Sequence, residues 1–325
     1  MKAIFYDKYG TPDVLELKEV EKPVPEDNQV LVHIHAASIN YGNLVLLKGE
    51  PFLARFAFGL FKPKYSIPGG DIAGRVESVG ANVKQFQPGD EVLGDLSRCG
   101  WGGFAEYVSV PEHALVLKPA SLSFEEAAAV PMAAVTALQS IRDKGRVKAG
   151  QKVLIHGASG GVGTFAVQIA KSFGAEVTAV CSTRNVKIAK SLGADSVIDY
   201  TREDFAKMND RFDLIIGANG YQPISVYRRA LKTNGIFVHV GGSSAQLFQA
   251  MTLGPWISLS GDKKVHSFLQ RSNQKDLQHI KDLLEKGKVK PVIDKHFALH
   301  EVPEAFKYFA EGHAQGKVII QIEAP

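Results

Sequence analysis

Residues Lys152–Lys171 read KVLIHGASGGVGTFAVQIAK, and the rest of the chain can be read outward from them. Val153, Leu154 and Ile155 form a short apolar run that ends in a turn of small residues, Ala158-Ser159-Gly160-Gly161-Val162-Gly163. Directly after it, Val162, Phe165, Ala166, Ile169 and Ala170 are apolar at helical spacing. A strand, a tight glycine turn and a helix in this order make the phosphate-binding start of a dinucleotide-binding βαβ unit. Small residues are needed because backbone N–H groups and the helix N-terminus must approach a pyrophosphate closely. A glycine triplet alone is weak evidence, since many turns are glycine-rich. Here the flanking strand and helix are both present, and a further strand, Glu176–Cys181, follows. Ser159, Gly160, Gly161, Val162 and Gly163 are therefore the candidate phosphate-binding residues, with Ala158 in the first glycine position of the fingerprint.

Downstream of this turn, predicted strands at 176–181, 196–198, 214–216 and 235–240 alternate with predicted helices at 185–192 and 222–231. That alternation implies an α/β fold with a parallel, doubly wound sheet of Rossmann type. Upstream, residues 1–120 show turn signals and β-branched alternation with little helical periodicity. Val30–His35, Ile72–Val79, Glu91–Leu93 and Phe104–Val110 read as strands of a compact, β-barrel-like domain. The apolar and aromatic stretch Tyr41–Phe61 is the exception, expected to form a short helix and a mobile lid. The composition changes at Ser121. Ser123-Phe124-Glu125-Glu126 is a capping box, and the Ala-rich helix behind it is expected to run through Ala137. Near the end, Gln274–Glu285 reads as an amphipathic helix. Val292–Phe297 and Lys317–Ile322 then return to β character around a helix at Glu301–Glu311, and this tail is expected to pack against the N-terminal domain. The expected division is residues 1–121 completed by 293–325, and residues 122–292.

The totals set limits on function. With 325 residues, 45% of them hydrophobic and 22% charged, the chain has the composition of an ordinary two-domain globular protein. A net charge of +4 with no basic run gives little support to nucleic-acid or membrane-surface binding. Cys99 and Cys181 are too few and too far apart for a disulfide framework, which fits a reducing compartment. The opening MKAIFYDKYG lacks the layout of a signal peptide, and no apolar run reaches membrane-spanning length. A cytoplasmic enzyme acting on a small molecule is expected.

Several stretches together carry a specific resemblance. They are Ala36-Ala37-Ser38-Ile39-Asn40-Tyr41, Ile67-Pro68-Gly69-Gly70-Asp71-Ile72-Ala73-Gly74, Gly89-Asp90-Glu91-Val92, the helix Ala127–Ala137, the glycine turn, Lys190-Ser191-Leu192-Gly193-Ala194-Asp195 and Gly316-Lys317-Val318. In them the chain is similar to the zinc-free quinone oxidoreductase branch of the medium-chain dehydrogenases/reductases, most of all to the chloroplast-envelope quinone oxidoreductase-like group. The resemblance implies a GroES-like catalytic domain joined to a Rossmann domain, usually in a homodimer. It implies an NADPH-dependent reductase of quinones or α,β-unsaturated carbonyls. A zinc-free alcohol dehydrogenase and a non-catalytic dinucleotide-binding protein are the alternative readings.

Zinc-dependent relatives carry a Cys in the segment that is Ser38–Asn43 here, and Gly-His-Glu where this chain has Gly70-Asp71. The four close cysteines of their structural zinc lobe are missing as well. Of the ten histidines, His33 and His35 alternate on a strand, so at most one is expected to face a site, and His156 reads as a packed, hydrogen-bonded residue. No metal site is expected, so hydrogen bonds must polarise the substrate instead.

For the cofactor, an NAD site usually places Asp or Glu at the end of the second strand. Here that stretch is Cys181-Ser182-Thr183-Arg184-Asn185, without a carboxylate. A carboxylate roughly 4 Å from a phosphate charge would be repelled by up to about 4 kcal/mol at surface-like dielectric, so its absence favours NADPH. Arg184 offers a fork of donors to a 2′-phosphate and Ser182 a hydroxyl. The other reading of Arg184, a solvated cation at a helix start, is electrostatically poor. Many relatives carry Lys where this chain has Asn185. Tyr200 matches a family tyrosine lying against the adenosine end. Thr136 resembles the family threonine near the nicotinamide. Val240-Gly241-Gly242 and Asn219 fall at strand ends, where an open α/β sheet binds ligands, although the Gly pair also suits a simple turn. Asn40 and Tyr41 are the candidate catalytic residues. Asn40 would hold the ribose or carboxamide, and Tyr41 would donate a hydrogen bond to the developing oxyanion or simply pack as an aromatic.

Overall fold

The chain opens with a two-stranded ribbon, in which β1 (Lys2–Phe5) pairs antiparallel with β2 (Glu16–Glu19) and bridges Ala105 on its other side. β3 (Gln29–Ile39) follows and becomes the centre of a larger sheet. Its sequence QVLVHIHAASI is rich in β-branched residues, and nearly every side chain along it is buried. It pairs antiparallel with β4 (Asp71–Val79) over most of its length. β5 (Glu91–Asp95) extends that edge, β6 (Tyr107–Pro111) takes the Gln29–His33 end of β3, and β7 (Leu115–Leu117) pairs with β5.

The middle of the chain builds a second sheet of six strands. They are β8 (Lys152–His156), β9 (Glu176–Cys181), β10 (Ser196–Asp199), β11 (Phe212–Gly217), β12 (Leu231–His239) and β13 (Lys264–Ser267), in the order β10-β9-β8-β11-β12-β13, all parallel. Leu154, Ile155, Val180, Ile215 and Phe237 are fully enclosed, the near-continuous apolar burial that a parallel sheet covered on both faces requires. The chain then returns to the first sheet through β14 (Ile293–Ala298) and β15 (Lys317–Gln321). β15 pairs antiparallel with the Ala36–Ile39 end of β3. In this computed structural model, residues 1–209, 211–242, 249–252, 254, 257–258 and 261–322 are described.

Two compact units result. One comprises Met1–Met132, Ser272–Glu285 and Pro291–Pro325, and the other Ala133–Arg271 with Lys286–Lys290. The tail packs on the N-terminal sheet as expected, but the crossing point lies later than the change in composition suggests. The Ala-rich run is two helices, Phe124–Ala128 and Pro131–Gln139, because Pro131 has no N–H to continue the first and is well placed to start the second. Ser123 does cap the first helix, in the expected box with Glu126. That short helix packs on β3, β4 and β15, which holds residues up to Met132 in the first unit. The helix Gln274–Glu285 belongs there too, and the Gln274 amide donates to the Leu115 carbonyl at 2.9 Å.

In the Tyr41–Phe61 stretch the first helix, Tyr41–Lys48, ends at Gly49 in the left-handed region (φ 61°). A 3-10 turn (Phe52–Ala54) and a single helical turn (Arg55–Phe58) follow. His33 and His35 correct a further expectation. Two residues apart on a strand, they project from the same face, with ring centroids 5.2 Å apart. Each is occupied by stacking, His33 on Tyr107 and His35 on Phe124.

His156 closes β8 and His239 closes β12, both buried. Nδ1 of His156 lies 2.7 Å from the Tyr227 hydroxyl, and burial pushes its pKa down to about 4. Burial likewise depresses His239 to about 4. A histidine whose folded pKa lies below its unfolded value stays neutral in the fold while the unfolded chain binds a proton. Its contribution is therefore complete above about pH 6.5 and is lost as the pH falls towards 4. The loss for His156 has an upper bound of roughly 3 kcal/mol. The melting temperature should accordingly fall between pH 6.5 and 4 more steeply in the wild type than in His156→Gln, as read by calorimetry. Identical slopes would show that His156 is not a buried neutral group.

Candidate active site

Past the carboxyl end of β8 the chain must turn in very little space. Gly157 has φ 82°, and a Cβ there would lie 2.6 Å from the Asn219 backbone nitrogen, so the loops after β8 and β11 touch at this point. A Cβ on Gly163 would lie 2.1 Å from the Gly157 carbonyl oxygen, which makes Gly163 the residue that lets the helix start against the turn. Gly160 is different, since a Cβ there would meet only the Gly157 oxygen, at 3.7 Å. Gly160 is the N-cap of the 12-residue helix Gly161–Ser172, and no side chain caps it. First-turn N–H groups have no acceptor within a helix and carry roughly half a positive charge together. An open backbone beside an uncapped helix N-terminus fits the pyrophosphate of a dinucleotide.

The neighbouring strand ends supply the remaining walls. Asn219 donates its backbone N–H to the His156 carbonyl (3.2 Å), and its side-chain oxygen accepts the Gly220 N–H (2.8 Å). The N–H groups of Val240 and Gly241 both donate to the Gly217 carbonyl, at 3.0 and 3.1 Å. Gly242 continues this turn at φ 108°. β8 and β11 are adjacent although β9 and β10 separate them in sequence, so the glycine turn sits at the topological switch point of the sheet, where ligands bind in this architecture. Thr136 is buried in the helix Pro131–Gln139 of this unit rather than at a strand end.

Beyond β9, Ser182 begins a 3-10 turn, Thr183–Asn185, that carries Arg184. Asn185, set aside in the sequence as a missing lysine, holds this corner together. Its buried amide donates to the Ser159 hydroxyl of the glycine turn (2.8 Å) and to the Ser182 hydroxyl (3.2 Å). An Asn just before a helical run is a common capping residue, and that was the available signal. The sequence stretch 181–185 has no carboxylate, but the fold brings one in from the end of β10. Asp199 accepts from the Thr183 hydroxyl (2.5 Å) and from both the N–H and hydroxyl of Thr201 (3.1 and 2.8 Å). The Thr183 hydroxyl, first among these donors, holds the Asp199 carboxyl below its ordinary range. Tyr200, next along, is exposed.

In the first unit the expected catalytic residues part company. Tyr41, the first residue of its helix, has an exposed side chain. Asn40 joins a buried cluster with Ser38, Asp71 and Lys317. Strand register explains the meeting, since Ser38 pairs opposite Asp71 and Val318 opposite Ile39. Asp71 Oδ2 accepts from the Ser38 hydroxyl (3.1 Å), the Asn40 amide (2.8 Å) and the Lys317 ammonium (3.4 Å), and Oδ1 accepts from the Met132 N–H (2.9 Å). Lys317 also donates to the Ile39 carbonyl (3.2 Å) and to the Asn40 side-chain oxygen. Burial pushes the Lys317 ammonium below its ordinary pKa, while Asp71 opposes that shift. Enclosing two ions costs several kcal/mol each before pairing offsets it. Asn43 accepts the Asn40 backbone N–H at 2.8 Å and serves as a cap.

Among the described residues, no group of three or more His, Cys, Asp or Glu side chains is placed to hold a metal. No helix among them is long and apolar enough to cross a membrane.

Comparison with known proteins agrees with this fold. Residues 26–120 match the alcohol dehydrogenase GroES-like domain, and residues 192–320 match a family described as zinc-binding dehydrogenase. A 2-methylene-furan-3-one reductase of Solanum lycopersicum is 38% identical over 98% of this chain and 79% of its own length. The chloroplast envelope quinone oxidoreductase homolog of Arabidopsis thaliana is 36% identical over 99% of this chain and 98% of its own. The solved quinone oxidoreductase of Coxiella burnetii superposes with a TM-score of 0.85 at 31% identity, covering 99% of both chains. A crystal structure titled NAD-dependent alcohol dehydrogenase superposes at 0.86 and 30%, covering 99% of this chain and 100% of that one.

The two glycines separate folding from ligand binding. Gly163→Ala should lower the melting temperature, because its Cβ falls on a backbone oxygen. Gly160→Ala should leave the melting temperature within about 2 °C yet weaken dinucleotide binding about tenfold or more, since only the ligand needs that space. Unchanged nicotinamide-fluorescence titrations in folded Gly160→Ala would remove the turn from the binding site.

Proposed function

We propose that this chain, which belongs to the quinone-oxidoreductase branch of the medium-chain dehydrogenase/reductase family, is an NADPH-dependent reductase of quinones and α,β-unsaturated carbonyls. The observation that carries this reading is the donor set. The Asn40 amide can give a hydrogen bond to an oxygen that gains charge, Tyr41 is an exposed donor one residue on, and the Asp71 carboxylate is taken up by four donors. Such a set suits a carbonyl already made electrophilic by conjugation. When bound, the nicotinamide supplies a hydride to the β-carbon of an enone or to a quinone ring.

The chain's own residues supply binding and charge stabilisation. The glycine turn holds the pyrophosphate with backbone N–H groups. Asn185 aligns the Ser159 and Ser182 hydroxyls, and Arg184 beside them offers a guanidinium to a 2′-phosphate. Asp199 is the nearby negative charge that opposes this; Thr183 and Thr201 hold it ionised and only the exposed Arg202 guanidinium, at 3.6 Å, partly offsets it, so Arg184 must outweigh it. NADPH should be preferred to NADH by at least about tenfold, because one charge-assisted hydrogen bond is worth roughly 1.5–3 kcal/mol. Arg184→Ala should weaken NADPH and leave NADH nearly unchanged, measured with a panel of small quinones, enones and alcohols. Equal losses for both cofactors would remove Arg184 from 2′-phosphate recognition. Alcohol oxidation with NAD⁺ and no quinone or enone turnover would replace the reading with a zinc-free alcohol dehydrogenase.

Tyr41 is the donor whose role a single atom tests. Tyr41→Phe should lower turnover of an enone by about 10²-fold, the usual effect of losing one oxyanion donor, whereas lost packing would chiefly raise the KM. Turnover surviving within about threefold would leave the oxyanion to other donors.

A further inference from the structure

Ser38 and Asp71 are fully enclosed and Lys317 is 2% exposed, while Asn40, at 8%, is the most accessible of the four clustered polar residues. What little surface the cluster leaves accessible therefore belongs chiefly to Asn40. Charge decides which way its amide faces. The Asn40 oxygen takes a hydrogen bond from the Lys317 ammonium, and its nitrogen donates to Asp71 at 2.8 Å. Turning the amide over would set N–H groups against the ammonium and the carbonyl against the carboxylate, replacing two charge-assisted bonds with two repulsive contacts. The backbone is fixed as well. Asn40 N–H donates to the Asn43 side chain (2.8 Å), and the Asn40 carbonyl accepts the Asn43 N–H (2.9 Å). One hydrogen of the Asn40 amide lies outside these bonds. Stability alone gives no reason for the arrangement, because well-packed apolar residues commonly replace a buried ion pair without loss.

We propose that Lys317 and Asp71 are positioning residues which lock the Asn40 amide, so that its remaining N–H is a preset donor to the substrate oxygen that gains charge. The proposal rests on the reductase reading above and adds to it two residues that touch neither substrate nor cofactor. Lys317 fixes the amide through its oxygen and Asp71 through its nitrogen. Removing both charges together frees the amide without stranding an ion.

The test uses the full-length protein with the paired substitution Lys317→Met and Asp71→Asn. The new amide oxygen at position 71 can still accept the Met132 N–H that Asp71 accepts now. Asn40→Ala and the triple variant complete the set. The side-chain ¹H–¹⁵N signals of Asn40, identified by their loss in Asn40→Ala, report the lock without any turnover. They should be sharp and slow to exchange in the wild type, then shift and exchange at least about tenfold faster in the folded pair variant. With NADPH and but-3-en-2-one, the pair variant should lose at least about tenfold in kcat, with the KM for NADPH within about threefold. Adding Asn40→Ala to the pair should cost less than about threefold more, because the residues act through one group. Unmoved Asn40 signals, an unaffected kcat, or losses that multiply in the triple variant would each overturn the proposal. A merely structural role predicts that multiplication. Should the pair variant not fold, Lys317→Arg keeps the charge but displaces its donors, and unchanged Asn40 signals there would also overturn it. A wild type that reduces neither enone nor quinone would refute the reductase reading, while the amide signals would still decide the lock.

Discussion

The first unit depends on the pairing of β3 with β4 on one side and β15 on the other. Backbone hydrogen bonds place Ser38 opposite Asp71 and Ile39 opposite Val318, so the polar residues of three strands arrive at one end of the sheet. A one-residue slip of either neighbour would turn its side chains to the other face and separate the buried charges. The cluster in turn penalises such slips, since a single enclosed ion without its partner is far more costly than the pair. Backbone register and side-chain electrostatics therefore reinforce one another across 246 residues of sequence.

The second unit is organised by steric exclusion rather than charge. Gly157 and Gly163 each stand where a Cβ would overlap backbone, and these contacts bring the loops after β8 and β11 together. What is left open is the backbone at Gly160 and the helix N-terminus behind it. The same compression that forms the turn thus leaves an uncapped helix N-terminus open, a place where an anion could be held with no basic side chain in the turn itself. Asn185 extends this logic to the second strand end, where one amide orients two hydroxyls from different loops.

Much of this was legible in the sequence because the signals are local. Apolar periodicity, the Gly160-Gly161-Val162-Gly163 turn and the Ser123 capping box each depend on residues within a few positions. The doubly wound sheet and the strand-rich first unit follow from them, while the GroES-like character of that unit was implied by the resemblance. The candidate site was legible only in part. Lys317 was visible as part of Gly316-Lys317-Val318, yet nothing near it in sequence announces a carboxylate partner. Asp71 read as an absent metal ligand and Asn185 as an absent lysine, when each has its own bonding role. Asp199 reaches Thr183 only because β10 lies beside β9. The Ala-rich run was misjudged for a local reason, Pro131, whose ring ends one helix and starts another.

The buried cluster also bears on how a hydrogen bond could polarise a carbonyl oxygen. A metal ion contributes several kcal/mol by polarising a carbonyl oxygen directly. One well-placed donor in a site closed to water contributes about 3–4 kcal/mol, but only if it does not have to reorient as charge develops. An ordinary surface asparagine fails that condition, because its amide turns freely and is solvated on both sides. Asn40 meets it, since an ammonium holds one end of the amide and a carboxylate the other. Apolar substitution of a buried pair is often neutral or stabilising by about 1–4 kcal/mol, a gain comparable to what a preset donor contributes to turnover. On the proposal above, what the buried ions give the chain is a donor whose direction is set before the substrate arrives.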